Sequence, residues 1–162
     1  MLISFFEEFP TEENLAKLKH ITWPTKLYIA AKSVKEFSDI KEKIKNKRIR
    51  EFTYWPILEK HEGYWISPFS KRSALKRTLN EIREMPVMLD LERPQNPLLY
   101  LTQSLYFFSN KQLIKNFLKT NKNTYLAEYY PEGKRKERIM ELCGLHYNPR
   151  EYNAKIIKMV YH

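Results

Sequence analysis

The chain has 162 residues, 29 of them Lys or Arg against 19 Asp or Glu, for a net charge of +10. Its 43% hydrophobic and 14% aromatic content is that of one folded globular domain, not a disordered chain. Three glycines without G-x-G spacing exclude a dinucleotide fingerprint and a phosphate-binding loop, and a single cysteine, Cys143, excludes a disulfide framework and a multi-cysteine zinc site.

Leu2 to Phe6 is an apolar, aromatic run that reads as a buried strand, ending at Glu7 and Glu8. Thr11 is placed to cap a helix with acids in its first turn and Leu15, Leu18 and Ile21 on its inner face. Lys26 to Ala31 is a second strand, delivering Lys32. Ser33 caps the next helix, where Val34, Phe37, Ile40 and Ile44 recur at helical spacing. Ile49 to Trp55 is a third strand, followed by a loop from Leu58 to Phe69 and a helix expected from a Ser70 cap through Glu84. Val87-Met88-Leu89 is a fourth strand leading into Asp90 and Glu92. A broken or double helix, Pro97 to Lys119, comes next, then a strand Thr124 to Glu128, a helix Lys134 to Leu145, and a last strand Asn153 to Tyr161.

Strict strand–helix alternation demands an α/β fold with parallel strands and crossover helices. The polar residues after each strand favour a TIM-type barrel over an open doubly wound sheet, because barrels gather site residues from many strand ends. A full barrel takes about eight units and about 250 residues. Six strands therefore read as a single domain, 1–162, forming an incomplete barrel of about six βα units. Either it is the front of a larger barrel, or a partner chain covers its open edges as a homo-oligomer, or the sheet never closes.

The basic residues are scattered over three helix faces, which reads as solvated helix surface, not a nucleic-acid partner. No apolar run approaches a membrane span and the N-terminus lacks the order of a signal peptide, so the expectation is a cytoplasmic protein without a membrane partner.

Residues two apart on a strand share a face, so Asp90 and Glu92 project together at a strand end. If the strand ends form one rim, Glu92, Asp90, Glu128 and Glu7 or Glu8 make an acidic centre beside Lys32. Mutual repulsion would keep one carboxyl protonated as a general acid while another stays charged, the requirement of glycoside hydrolysis. Tyr54, Trp55, Tyr64, Trp65, Tyr129 and Tyr130 cluster after strands, where rings stack on sugars. The expected site is therefore Glu92, Asp90, Glu128 and Glu8 for catalysis, with Lys32, Tyr54, Trp55, Trp65, Tyr129 and Tyr161 binding a small-molecule or saccharide substrate.

Asp90-Leu91-Glu92 resembles the end of the D-G-x-D-x-D-x-E motif of chitinase-type glycoside hydrolases, and Met159-Val160-Tyr161 is similar to that family's M-x-Y-D. The resemblance implies a barrel hydrolase with Glu92 as proton donor, Asp90 as its electrostatic partner and Tyr161 on a substrate acetamido group. The chain departs from the motifs at Met85, Pro86, Met88 and His162, and Thr53-Tyr54-Trp55-Pro56 replaces the family's S-x-G-G.

A metal-dependent phosphodiesterase on the same barrel is the alternative enzyme, its carboxylates binding Mg²⁺ or Ca²⁺. The glycosidase reading needs no cofactor. The remaining alternatives are a basic nucleic-acid-binding module and a half-barrel that requires a partner.

Overall fold

Two side-chain oxygens start helices where the sequence places them. Thr11 Oγ1 accepts the N–H of Asn14 at 3.2 Å and opens α1 (Glu12–Lys17); Ser33 Oγ accepts the N–H of Glu36 at 3.1 Å and opens α2 (Val34–Lys43). Ser70 does something else. Its Oγ is buried, donating to the carbonyl of Trp65 and accepting the N–H of Ser67, so it pins a loop, and α3 (Arg72–Glu81) begins after Lys71.

The computed structural model describes residues 3–94, 96–128, 134–148, 150–152 and 154–158, with the backbone alone of Glu128 and Lys158. The six strands are β1 (Ile3–Glu7), β2 (Thr25–Ala31), β3 (Ile49–Pro56), β4 (Val87–Asp90), β5 (Thr124–Glu128) and β6 (Ala154–Lys158). The remaining helices are α4 (Leu98–Thr102), α5 (Phe107–Thr120) and α6 (Lys134–Leu142), with a single 3₁₀ turn, Ser104–Tyr106, between α4 and α5. The last helix stops three residues earlier than expected; Gly144, at φ 67°, takes the left-handed conformation that ends it.

All six strands are parallel and lie in sequence order, β1-β2-β3-β4-β5-β6, in a sheet curled into a half-barrel. Each strand lands beside its predecessor, so every helix is forced over the same face. Packing shows this directly. Leu27, Ile29, Tyr54, Val87, Leu89 and Leu126 join one core with Phe37 and Ile40 of α2, Leu75 and Leu79 of α3, and Ile114 and Phe117 of α5.

The alternate residues form a second cluster containing no helix residue: Tyr28, Ala30, Trp55, Ile57, Met88 and Ala127, joined by Tyr64 and Trp65 from the β3–α3 loop. This is the concave face. The expected α/β architecture and parallel order are therefore present. The sheet is a half-barrel in which β1 and β6 occupy opposite edges, so among the described residues no strand pair closes it.

No helix among the described residues is long and apolar enough to cross a membrane.

Candidate functional site

The concave face is filled with rings instead of being left hollow. Phe6 stacks on Tyr28 at 5.0 Å between centroids, and Trp55 stacks almost flat on Trp65 at 5.7 Å. Tyr125 meets Tyr28 edge-on at 6.0 Å. At the N-terminal end of the strands, buried Lys26 places Nζ 3.9 Å from the Tyr125 ring centroid and 3.4 Å from Glu51 Oε2. Rings and cation narrow that end to a cleft of about 350 Å³ lined by Lys26, Glu51, Tyr125 and Lys155, which holds a single acid.

The carboxylates gather at the C-terminal ends of the strands. Period-2 geometry carries Asp90, the last residue of β4, onto the concave face with Met88, and Glu92 and Glu8, just beyond the ends of β4 and β1, act on it by their charge. Asp90 is 2% exposed and its Oδ2 has no hydrogen-bond partner among the described residues. Burial, followed by the negative charges of Glu92 and then Glu8, pushes its carboxyl up to about 8. At neutral pH Asp90 is therefore protonated. The three carboxyls expected from β1 and β4 thus share one electrostatic field.

A turn of unusual backbone holds Glu8. Gly63, at φ 133°, packs against Ser70, and Tyr64 follows with φ 63°, the left-handed region that a non-glycine residue rarely adopts. The strain is held by Leu58 N–H donating to the Tyr64 carbonyl at 2.7 Å and by Tyr64 N–H donating to the Glu59 carbonyl at 3.2 Å. It aims the Tyr64 hydroxyl at Glu8 Oε1, to which it donates at 3.1 Å. Burial, with the Glu8 charge behind it, raises the Tyr64 phenol to about 12, so it remains a donor across the physiological range.

Glu8 and Tyr64 also line a cleft of about 500 Å³ with Phe9, Lys32, Lys60 and Glu36. Phe9 is 60% exposed, an open ring beside the acids.

The other expected residues divide. Lys32 lines this cleft, but its Nζ is held by Glu59 at 2.8 Å, not by the acids. Glu7 accepts the N–H of Phe9 at 3.1 Å and so shapes the turn after β1. Trp55 and Trp65 lie on the concave face but are buried against each other, leaving no free ring surface for a sugar. Tyr54 is not in the site. Being next to Trp55 on a strand, it must point to the opposite face, where it stacks on Phe37 at 5.2 Å under the helices, and burial raises its phenol. The side chain of Glu128, and Tyr129, Tyr130, Tyr161 and His162 altogether, lie outside the described residues.

Sequence reasoning groups Tyr64 with ring platforms and passes over Phe9; the role of the Tyr64 hydroxyl depends on a contact across 56 positions that no local pattern announces. Among the described residues, no three His, Cys, Asp or Glu side chains converge as ligands for a metal ion.

Comparison with known protein families, with curated proteins and with solved structures finds no match.

Proposed function

We propose that this protein is a hydrolase of glycosidic bonds that works by general acid/base catalysis at the C-terminal ends of β1 and β4. The observation that carries the reading is Asp90: a carboxyl kept protonated at neutral pH under the influence of two further carboxylates, one of which, Glu8, lines an open cleft. Asp90 is too deeply buried to touch a substrate, whereas Glu92 is only half-buried. The proton that Asp90 holds near neutrality passes by way of Glu92 to the leaving glycosidic oxygen. Glu8, oriented by Tyr64, is the charged carboxylate that stabilises positive charge at the anomeric carbon or activates water. Phe9 offers the stacking surface for a sugar ring.

The test is hydrolysis of a panel of fluorogenic aryl glycosides with and without a chelator. Turnover that survives chelation and falls by about 10² or more in folded Glu92→Gln supports the reading. Turnover lost to the chelator transfers the site to the metal-dependent phosphodiesterase class, and unchanged turnover in Glu92→Gln removes that residue from the chemistry.

A further inference from the structure

A lysine is out of place in β2. All seven residues of that strand are buried, and Lys26 among them is only 7% exposed. A buried ammonium is costly unless opposite charge meets it. Burial works against its charge, but Tyr125, Tyr28 and Glu51 outweigh burial and hold the ammonium above the ordinary lysine range. Lys26 is therefore a charged group inside the sheet.

Strand register builds a cleft around it. Lys26 lies opposite Glu51 of β3, and Tyr125 of β5 lies opposite Lys155 of β6. Alternation puts Thr53 on the same face as Glu51, and Asn123 precedes β5. These six line the cleft of about 350 Å³ at the N-terminal end of the sheet, the opposite end from Asp90. Lys26 Nζ is 3.9 Å and Lys155 Nζ 5.7 Å from the Tyr125 ring centroid, so two cations share one ring. A single acid answers them. Glu51 meets Lys26 at 3.4 Å with its side chain 60% exposed, while Lys155 has no carboxylate partner among the described residues. Thr53 is 2% exposed, yet its hydroxyl makes no hydrogen bond among the described residues and lines the cleft with its donor free.

We propose that this cleft binds a small phosphate monoester, at a site separate from the acids at the other end of the strands. Charge and donors together select the ligand. A phosphate carries nearly two negative charges at neutral pH and offers three acceptor oxygens. Its charge matches two lysines, where a carboxylate would satisfy one, and its further oxygens can accept from the Thr53 hydroxyl and the Asn123 amide. Glu51, largely open to solvent, turns outward as the phosphate takes its place on Lys26. The Tyr125 ring gives the organic part of the ester an apolar wall. A cleft of about 350 Å³ stands at the lower end of the small-molecule range, so the ester is small.

Calorimetric titration of the full chain with phenyl phosphate, and separately with benzoate, tests the proposal at low ionic strength. Phenyl phosphate should bind with a Kd of about 1 mM or tighter, and benzoate about tenfold more weakly. Lys155→Met keeps the stem and should weaken phenyl phosphate about tenfold; Thr53→Val keeps the shape and should weaken it about fivefold. Glu51→Gln removes the competing acid and should tighten binding about threefold or more, a gain that a purely structural ion pair would not give. Melting curves establish that each variant is folded. The absence of saturable binding up to about 20 mM phenyl phosphate overturns the proposal. Benzoate bound as tightly as phenyl phosphate overturns the choice of a dianion. Affinity undiminished in folded Lys155→Met and Thr53→Val also overturns it, because the anion would then sit elsewhere on the basic surface.

Discussion

The hydroxyl of Tyr64 donates a 3.1 Å hydrogen bond to Oε1 of Glu8, tying the loop after β3 to the end of β1 across the mouth of the half-barrel. The contact rests on a left-handed backbone at a residue with a large side chain, and that conformation is kept because neighbouring hydrogen bonds determine it. Tyr64→Phe keeps the ring and removes only the donor. The expected loss is about 1 kcal/mol in urea unfolding, with Phe9 and the cleft otherwise undisturbed. Tyr64→Ala loses the ring packing on Trp65 as well and should cost about 3 kcal/mol.

Asp90 makes stability depend on pH. Its folded carboxyl titrates at about 8, well above the ordinary aspartate value of 3.8. Below the ordinary value both states are protonated and nothing is lost. Between the two values the unfolded chain releases a proton that the folded chain retains, so stability falls as pH rises, by up to about 1.4 kcal/mol per unit, and levels off above the folded value. Asp90→Asn removes this dependence. The variant should be more stable than the parent at pH 7, and the gap measured by urea titration should widen steadily from about pH 4 to about pH 8. A constant gap would mean that Asp90 is ionised in the fold.

The same proton governs the proposed chemistry. Hydrolysis should decline on an alkaline limb near pH 8 as Asp90 ionises. Asp90→Asn should lower the rate about 10²-fold or more and abolish that limb. A pH–rate profile of the pure variant on an aryl glycoside it still turns over checks both expectations.

Glu62 tests how firmly the β3–α3 loop is fastened. Burial pushes its carboxyl up, but the hydrogen bond and charge of Arg77, with Nη2 2.9 Å from Oε2, outweigh burial and hold it below the ordinary range. Its contribution is therefore present above the ordinary carboxyl value and is lost as pH falls through the lowered one. Arg77→Ala strands a buried carboxylate. Because the arginine itself is largely exposed, the expected cost is about 1–2 kcal/mol and not the full value of a buried pair. Tryptophan emission should shift to the red as Trp65 loosens, and acidification should recover part of the loss.

The fold was largely legible because its signals are local. Thr11 and Ser33 cap helices by contacts three residues long, and the apolar strands announce themselves by burial on both faces. Aromatic content at a strand end looks alike in sequence and points both Tyr54 and Trp55 toward a substrate, yet adjacent strand residues must part company. Ser70 carried a cap signal and was drawn into the loop by Trp65 and Ser67 instead. Lys32 lay at the right strand end, but Glu59 from another loop captured it. Only for Lys32 did a partner distant in sequence make the choice; Ser70 was settled by neighbours three and five residues away, and Tyr54 by the alternation of its strand.

The strand order has a bearing on how the chain reaches its native state. Because each new strand settles against the one synthesised just before it, no pairing has to wait for a distant tail to arrive. Loops to be closed stay short, the entropy lost at each step is small, and ordering can advance from the first strand onward while later residues are still being made.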